Sequence, residues 1–389
     1  MALDLEHIAR SPRAAKSAAR KAGRTTIVQV VAARPNFVKM APVITALERR
    51  DIFNQVVVHT GQHYDRQMSD EVLADLNFPE PDRSLGVGSG SHATQTGRVM
   101  VEFERVLHEV EPSLVVVAGD VNSTLGCALV ASCLGIPVAH LEAGLRSFDW
   151  TMPEEINRVL TDQLSETLFS HSPEAETNLH LEGIPLERLH YVGNTMIDSL
   201  RLYEGRARQL SAWRKVGLDE RDYALVTLHR PHNVDDPERL ARIVDALTNL
   251  AERAPIIFPI HPRTRARLAA GGGLTQLEAA GVRCIEPVGY LEFLSLQAGA
   301  GAVITDSGGV QEETSALGVR CYTFRPNTER PITLTHGTNS MLGDQPEAIA
   351  SVTPSDWAHE QSEIPLWDGH AAERVADILV AAFGMREAA

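Results

Sequence analysis

The sequence has too few basic residues to suggest a nucleic-acid partner. It contains 36 lysines and arginines against 51 aspartates and glutamates, which gives a formal net charge of -15. Phosphate backbones are bound by basic surfaces, so neither a nucleic acid nor another polyanionic polymer is expected as a partner. A small phosphorylated ligand is compatible with this charge, because a few local arginine, lysine and backbone N–H groups can hold it.

Cysteines and long apolar runs are also scarce. The four cysteines, Cys127, Cys133, Cys284 and Cys321, include no CxxC pair, and three of them lie in apolar segments. We therefore expect buried free thiols in a reducing compartment. No apolar run reaches the length of a membrane span, and no secretory hydrophobic region follows the first residues, so no membrane partner is expected.

Signatures of tightly bound cofactors are missing as well. There is no GxGxxG after the first strand-like run and no GxxxxGK[ST] anywhere. The glycines of GVGSG (86–90) follow PEPDRSL rather than a strand, so this segment is interpreted as a loop. A dinucleotide cofactor therefore has little support, and the lack of a His-x3-His or cysteine cluster at ligand spacing predicts no metal site.

Apolar strand-like runs do alternate with segments of helical period along most of the chain. The runs form two series, 26–33, 55–61, 113–120 and 137–144, then 223–229, 255–262, 282–289, 302–309 and 319–324. Near-continuous apolar strands separated by helices predict parallel sheets covered on both faces. The two series predict an α/β protein with two Rossmann-like domains that face one cleft, and ligands bound at the carboxyl ends of the strands.

We assign four parts to the chain from these runs. Residues 1–24 are basic and alanine-rich and are interpreted as a solvated, partly helical extension, since two acidic residues argue against a mitochondrial presequence. Residues 25–195 form the N-terminal domain and residues 196–370 the C-terminal domain. Residues 371–389 are expected to form a helix that packs back on the N-terminal domain.

Three carboxylates in the first half are candidates for acid–base chemistry. Asp120 ends a very apolar strand, where the role of a helix N-cap is an equally good explanation. Glu142 follows the next strand, close to His140 and Arg146. Glu154 begins a helix and would share one face with a residue four positions later, although acidic residues in a first turn are often only partners of the helix dipole. Together, three carboxylates at one cleft would shift each other's pKa values, as acid–base catalysis requires.

Other side chains lie where a diphosphate could bind. Arg34 and Lys39 flank the turn into the first helix, although either charge alone could simply be solvated. His229 ends a strand, which is more often a structural position, but Arg230 beside it favours an anion-binding region. A Ser-Gly-Gly turn at 307–309 lies between a buried strand and a helix, and would expose backbone N–H groups to an anion.

Eight segments of the chain, in order, resemble the non-hydrolysing UDP-N-acetylglucosamine 2-epimerases of bacteria. They are ARPNFVKMAPVI, TGQHYDRQM, GDVNSTLG, HLEAGLRS with MPEEINR, VGNTMIDS, LHRPHN, DSGGVQEE and TERP. The similarity spans residues 26–380, nearly the whole chain, and several of these motifs are individually specific. It implies two Rossmann-like domains in the GT-B arrangement with the active site in the interdomain cleft, a cytoplasmic homodimer, a UDP-sugar substrate and no cofactor.

The resemblance also implies three sets of site residues. The catalytic set is Asp120, Glu142, Glu154, His229 and Arg158. The UDP-binding set is Arg34, Lys39, Val288, Phe293, Ser307, Gly308, Gly309, Glu313 and Arg330. In this set the carboxylate of Glu313 binds the ribose hydroxyls. The set for a second, activating UDP-N-acetylglucosamine is Gln62, Gln67, Arg98, Arg230 and His261.

Two segments depart from the family pattern. The family usually has Gly-Thr-Arg-Pro-Glu at the first loop, where this chain has Ala-Ala-Arg-Pro-Asn at 32–36. Pro231 and His232 also replace the usual residues. These differences affect local contacts and the exact sugar that is bound.

The reaction implied is reversible C2 epimerisation of UDP-N-acetylglucosamine to UDP-N-acetylmannosamine, through loss and re-addition of UDP by way of 2-acetamidoglucal. Three alternatives remain at this stage. A hydrolysing epimerase would release N-acetylmannosamine and UDP, a GT-B glycosyltransferase would use the same UDP site, and a catalytically silent regulator would only bind the UDP-sugar.

Overall fold

The computed structural model describes residues 23–61, 75–76, 78–358 and 363–384, except for the side chain of Arg34. The chain divides into two compact units. The first contains residues up to Ser199 together with those from Pro365 onward, and the second is Leu200–Ile364. The boundaries thus fall after Ser199 and Ile364 rather than after residues 195 and 370, and the helix Thr195–Leu210 runs through the first boundary.

The described part of the first unit is built on a parallel sheet of seven strands. In chain order these are β1 Thr26–Val31, β2 Asn54–His59, β3 Arg83–Ser84, β4 Leu114–Ala118, β5 Val138–Leu141, β6 Thr167–Ser170 and β7 Leu189–Tyr191. The order across the sheet is β3-β2-β1-β4-β5-β6-β7, and each neighbouring pair is parallel. Its helices are Arg34–Arg50, His92–Val110, Asn122–Cys133, Pro153–Leu164, Pro173–Leu181 and Ala371–Phe383.

The described part of the second unit repeats this architecture with six strands. These are β8 Ala224–Thr227, β9 Ile256–Pro259, β10 Arg283–Ile285, β11 Ala302–Thr305, β12 Arg320–Thr323 and β13 Asn339–Met341, in the parallel order β10-β9-β8-β11-β12-β13. Its helices are Ala212–Lys215, Pro231–Val234, Pro237–Ala251, Pro262–Ala270, Gly273–Ala279, Tyr290–Gly299, Gly308–Leu317 and Ile332–Thr335. The prediction of two Rossmann-like α/β domains is confirmed.

The central strands are mostly apolar because helices cover both faces of each sheet. All five residues of β4 and all four of β11 are buried. A strand that is buried on both faces favours apolar side chains at nearly every position, and this produces the near-continuous apolar runs in the sequence.

Each sheet has one point where the strand order reverses. In the first unit the chain adds β2 and β3 on one side of β1, and then places β4 on the other side. In the second unit β8 and β11 are related in the same way. In open parallel sheets, ligands bind at the carboxyl ends of the strands at such a point. The loops after β1, β4, β8 and β11 are therefore where a site is expected.

The C-terminal helix Ala371–Phe383 is held within the first unit. The carboxylate of Asp198 accepts hydrogen bonds from the backbone N–H groups of Ala371 and Ala372, at 3.1 and 2.6 Å, and so caps the start of this helix. Arg50, at the end of the first helix, pairs with Glu373 at 2.7 Å and with Asp377 at 2.6 Å. The last helix therefore packs on the helix that follows β1.

The cysteines differ in part from expectation. All four are free thiols, and Cys127 and Cys321 are buried. Cys133 is exposed at the last residue of its helix, so the expectation of a buried thiol was wrong there. Within the described residues, no helix is both long and apolar enough to cross a membrane.

Candidate active site

Asp120 lies directly after β4 and faces a buried arginine. Its carboxylate forms an ion pair with Nη2 of Arg158, on the helix Pro153–Leu164. Asn157, one position earlier, donates from Nδ2 to the backbone carbonyl of Asp120 at 2.9 Å. The N-cap of the next helix is Val121, which has no side-chain capping bond. The alternative role of Asp120 as a helix cap is therefore wrong, and its carboxylate faces the site.

Glu155, which the sequence analysis passed over, is the buried carboxylate of the pair at 154–155. It is 1% exposed and lies 2.9 Å from Nη1 of Arg158. It also accepts hydrogen bonds from the backbone N–H and hydroxyl of Ser147 at 2.9 and 2.8 Å, and from the N–H of Phe148 at 2.9 Å. Glu154 is exposed and has no hydrogen bond or ion pair to any residue that the structure describes. The partner of Arg158 on its own helix is thus three residues away rather than four.

Lys39 and Glu142 form an ion pair between the first helix and the end of β5. Lys39 comes from the helix after β1 and is 8% exposed, and Glu142 directly follows β5. Glu142 has a φ of +68°, a conformation in which an L side chain is strained and which is frequent at functional sites. The sequence analysis placed Lys39 at a diphosphate, whereas in the structure its ammonium group faces a catalytic candidate.

Gly119 adjoins both the Asp120–Arg158 pair and the Lys39–Glu142 pair. It has a φ of +68° and immediately precedes Asp120. A Cβ atom on this glycine would lie 3.3 Å from Oε2 of Glu142 and 3.6 Å from Nζ of Lys39. Asn36, one of the departures from the family pattern, accepts the N–H of Ala33 at 2.9 Å and donates to the carbonyl of Ala118 at 2.7 Å, which ties the first helix to β4.

A network of hydrogen-bonded and charged side chains holds the backbone of the turn at Gly119. Nε2 of His140 lies 2.8 Å from the Gly119 carbonyl, and Nδ1 lies 2.7 Å from Asp162. Asp162 also pairs with Arg146 at 2.7 Å, and Arg146 with Glu182 at 2.6 Å. Burial raises the pKa of Asp162, but His140 and Arg146 outweigh this and hold it below its usual value. His140 and Arg146, noted in the sequence as neighbours of Glu142, are buried and support the backbone of the site.

A pocket lies beside the Lys39–Glu142 pair in the first unit. It is lined by Lys39, Leu141, Glu142, Phe169, His171, Val192, Gly193, Asn194 and Thr195. Its lining comes from the ends of β5 and β6 and from the residues between β7 and the next helix. The charged pair thus lines a small concavity of the first unit.

In the second unit, the Ser-Gly-Gly turn begins the helix Gly308–Leu317 directly after β11, as predicted. A Cβ atom on Gly308 would lie 2.5 Å from Nη1 of Arg330. The guanidinium therefore lies against the first turn of this helix, and only glycine leaves room for it. This contact places Arg330 next to the N–H groups that would bind an anion.

The two glutamates at 312–313 contact different partners. Glu312 is fully buried, and its Oε1 lies 2.9 Å from Nε of Arg330, so it holds the arginine in place. Glu313 is also buried and accepts a hydrogen bond from Nε2 of Gln297 at 2.7 Å. Gln297 belongs to the helix Tyr290–Gly299, which also carries Phe293. Sequence analysis named Glu313 but missed Glu312, whose pairing depends on an arginine 18 positions away.

His229 and Val288 are the remaining catalytic and UDP-binding candidates among the described residues of the second unit. His229 follows β8, and its Nδ1 lies 2.9 Å from Oδ1 of Asp306. Burial lowers the pKa of His229, but the hydrogen bond and charge of Asp306 outweigh this effect and raise it above the usual value. Val288 is half-buried and lies in the segment before the helix that carries Phe293.

The proposed regulatory residues are only partly described. Gln62 and Gln67 lie outside the described residues, as does the side chain of Arg34. Arg98 is exposed, and its Nη1 lies 3.5 Å from the carbonyl of Val87. The two others are in the second unit: Arg230 donates from Nε to the carbonyl of Asp306 at 2.9 Å, and His261 accepts the N–H of Arg263 at 3.3 Å. In the part of the chain that is described, no cluster of three or more His, Cys, Asp or Glu side chains could hold a metal ion.

Comparison with known proteins identifies the family. The model of the UDP-N-acetylglucosamine 2-epimerase family matches residues 45–380. The UDP-N-acetylglucosamine 2-epimerase of Methanocaldococcus jannaschii is 44% identical over 358 residues, which cover 90% of this chain and 97% of the relative. A UDP-2,3-diacetamido-2,3-dideoxy-D-glucuronate 2-epimerase of Pseudomonas aeruginosa is 41% identical, over 91% of this chain and 99% of the relative.

Solved structures show the same similarity. The Methanocaldococcus jannaschii UDP-GlcNAc 2-epimerase, solved in complex with UDP-GlcNAc and UDP, superimposes with a TM-score of 0.85 at 42% identity, over 92% of this chain and 100% of that one. The Neisseria meningitidis enzyme bound to UDP-GlcNAc has a TM-score of 0.84 at 29% identity, with the same coverage. The family predicted from the sequence motifs is therefore confirmed, and this chain belongs to the UDP-N-acetylglucosamine 2-epimerase family.

Proposed function

We propose that this chain interconverts UDP-N-acetylglucosamine and UDP-N-acetylmannosamine by inverting C2 without a cofactor. The observation that carries the proposal is the pair of carboxylate–cation contacts at the switch point of the first unit. Asp120 with Arg158, and Glu142 with Lys39, both adjoin the turn at Gly119. Such an arrangement suits proton transfer next to a negatively charged leaving group.

The C2 proton of an N-acetylhexosamine is not acidic, because no neighbouring carbonyl can stabilise a carbanion. Elimination avoids this difficulty. A base takes the C2 proton, the C2–H electron pair forms the C1–C2 double bond, and the C1–O bond breaks to release UDP. Protonation of the resulting 2-acetamidoglucal at C2 from the other face, with return of UDP to C1, then gives the epimer.

The first unit supplies the groups for this proton transfer. Asp120 contacts Arg158 and Glu142 contacts Lys39, so each carboxylate lies beside a cation, and either carboxylate is a candidate for the base that takes the C2 proton. Inversion needs a second group that delivers a proton to the opposite face of C2. Glu154 supports this role as a third carboxylate, exposed in the first turn of the helix that carries Arg158.

The second unit supplies the groups that hold UDP. The backbone N–H groups at 307–309 and the guanidinium of Arg330 together suit the diphosphate. Glu313 accepts the ribose hydroxyls, and Phe293 with the backbone at Val288 holds the uracil. His229 and Arg34 stabilise the negative charge that develops on the leaving UDP.

A modified sugar is the second candidate substrate. The Pseudomonas aeruginosa relative, named for a 2,3-diacetamido glucuronate substrate, is 41% identical to this chain. Its name describes the same change at C2, so the proposed chemistry would be retained and only the contacts to C3 and C6 would differ. As the family resemblance implies, we further expect a cytoplasmic homodimer that binds no nucleic acid.

The purified chain should be incubated with each UDP-sugar alone, with UDP-sugars and free sugars resolved by chromatography. We expect UDP-N-acetylglucosamine to give a mixture with UDP-N-acetylmannosamine, and the diacetamido glucuronate to react at least about a hundredfold more slowly in kcat/KM. The reverse preference would assign the second candidate. No reaction with either sugar would contradict the proposed function.

A further inference from the structure

Asp306 is a buried carboxylate that the proposed mechanism does not use. It is 0% exposed and occupies the position between β11 and the Ser-Gly-Gly turn. Its Oδ2 accepts the N–H groups of His229 and Arg230 at 3.0 and 2.9 Å and Nδ2 of Asn233 at 3.0 Å. Its Oδ1 lies 2.9 Å from Nδ1 of His229. Both oxygens are therefore committed to the segment that follows β8.

The backbone of Asp306 connects to the same segment. Its N–H donates to the carbonyl of Thr227 at 3.3 Å, and its carbonyl accepts Nε of Arg230 at 2.9 Å. The next residue along the chain, Ser307, begins the turn that is proposed to bind the diphosphate. One residue thus joins the loop after β8 to the phosphate turn after β11, at the switch point of this sheet.

We propose that Asp306 is a positioning residue that holds His229 as an imidazolium and leaves its Nε2–H free to bind the leaving diphosphate. This inference rests on the proposed function. The side chain of His229 is 49% exposed, and its Nε2 has no hydrogen-bond partner among the residues described. With Nδ1 bound to Asp306, Nε2 is the ring nitrogen that can meet a ligand.

The charge of Asp306 determines whether Nε2 of His229 donates or accepts a hydrogen bond. A neutral ring whose Nδ1–H binds Asp306 has a bare Nε2, which accepts hydrogen bonds and cannot donate to a phosphate oxygen. Protonation of the ring converts Nε2 into a charged donor, which binds phosphate oxygens more strongly. As UDP leaves C1, its negative charge increases, and a donor already in place stabilises it without rearrangement.

The other charged groups near His229 do not produce this protonation. Burial lowers the pKa of His229, and so does the adjacent Arg230 guanidinium, which itself lies 4.0 Å from Glu329. Asp306 outweighs both, and its own pKa is held below the usual value by His229, Asn233 and the N–H of Arg230 despite its burial. Removing the Asp306 charge should therefore lower the pKa of His229.

The test compares Asp306→Asn with Asp236→Asn. Asp236 caps the helix Pro237–Ala251 in the same unit through the N–H groups of Glu238 and Arg239, so this control removes one capping carboxylate without touching His229. His229 is titrated by NMR in ring-labelled protein, with its signal identified by its loss in His229→Asn. The kcat and KM for UDP-N-acetylglucosamine are measured across the same pH range, and UDP affinity is measured by calorimetry.

We expect Asp306→Asn to shift the His229 titration to lower pH and to reduce kcat about tenfold to a hundredfold above neutral pH, with partial recovery as the pH falls. Asp236→Asn should change neither. In a His229→Asn background, Asp306→Asn should cause no further loss of kcat, because a residue that acts through His229 has nothing left to position.

An unchanged His229 titration in Asp306→Asn would overturn the proposal, and so would an unchanged pH profile of kcat. If Asp306→Asn does not fold, the wild-type titration decides, since a His229 that titrates at or below its ordinary value contradicts an imidazolium held by Asp306. Failure of the proposed function would appear separately, as a wild-type protein that does not turn over the UDP-sugar. The NMR and UDP-binding measurements need no turnover.

Discussion

Nη1 of Arg158 donates to Oε2 of Glu155, three residues earlier on the same helix, at a distance of 2.9 Å. The other end of the guanidinium binds the carboxylate of Asp120. Glu155 therefore fixes the cation that faces a catalytic candidate, and it also anchors the loop at Ser147 and Phe148. A residue that was not among the predicted site residues thus holds the arginine that contacts Asp120.

We predict that Glu155→Gln lowers both activity and stability. The glutamine side chain lacks the negative charge that balances Arg158. Its NH2 group would also face Ser147, Phe148 or Arg158, which are themselves hydrogen-bond donors. Losing one partner of a buried ion pair costs about 3–5 kcal/mol of folding free energy. Losing a charged hydrogen bond behind Asp120 should lower kcat about tenfold to a hundredfold.

Thermal denaturation and steady-state kinetics check this, with Glu166→Gln as the control. Glu166 is exposed just after the same helix and should tolerate the change. A melting temperature and kcat in Glu155→Gln equal to those of the control would show that Glu155 does not hold Arg158.

The three carboxylates of the first unit are predicted to act on protons rather than to bind UDP. Asp120→Asn, Glu142→Gln and Glu154→Gln should each lower kcat by about a hundredfold or more, because each replaces a proton-transferring group by an amide of the same shape. UDP affinity, measured by calorimetry, should change little. Near-normal turnover in all three variants would contradict the mechanism, and near-normal turnover in Glu154→Gln alone would remove the exposed member from it.

The phosphate turn gives a prediction that depends on one methyl group. In Gly308→Ala the new Cβ would lie 2.5 Å from Nη1 of Arg330, so the guanidinium must move away from the turn. We expect UDP to bind about tenfold more weakly or worse, because a charged contact to the diphosphate is displaced. Glu313→Ala should also weaken UDP binding more than it alters kcat.

Gly205→Ala is the matched control for this change. A Cβ there meets nothing within 4 Å, and the residue lies inside the helix Thr195–Leu210. Equal UDP affinity in Gly308→Ala and Gly205→Ala would show that Arg330 and the turn do not bind the diphosphate.

The proposed second UDP-N-acetylglucosamine predicts regulation by the substrate. The rate should rise sigmoidally with UDP-N-acetylglucosamine concentration, and reaction from pure UDP-N-acetylmannosamine should start slowly until the other epimer is added. Arg98→Ala should remove both effects and leave the fold intact, since this exposed side chain makes one long contact to Val87. A hyperbolic forward curve with a prompt reverse reaction would refute the second site.

Sheet architecture and strand-end residues were predictable because parallel strands covered on both faces form near-continuous apolar runs. That pattern marks the ends of β4 and β11 in the sequence, and with them Asp120 and the turn at 307–309. The motifs then identified the family. These features depend on residues that are close together along the chain.

The supporting contacts could not be predicted, because they join residues that are distant along the chain. Glu154 and Glu155 are equivalent in the sequence, and the loop at Ser147 determines which of them is buried. Similarly, nothing in the sequence near Glu312 indicates its pairing with Arg330. In the sequence, Asp306 is simply the residue after a strand. Its contacts with the segment after β8 are visible only in the structure.

The central claim is elimination and re-addition at C2, and isotope exchange in deuterated water tests it most directly. The chain is incubated with UDP-N-acetylglucosamine alone, and the products are followed by NMR. The account predicts UDP-N-acetylmannosamine that carries deuterium at C2, since the proton delivered to the opposite face comes from an exchangeable group. Epimerisation with complete retention of the original C2 proton, release of free N-acetylmannosamine, or no reaction without an acceptor would each contradict it.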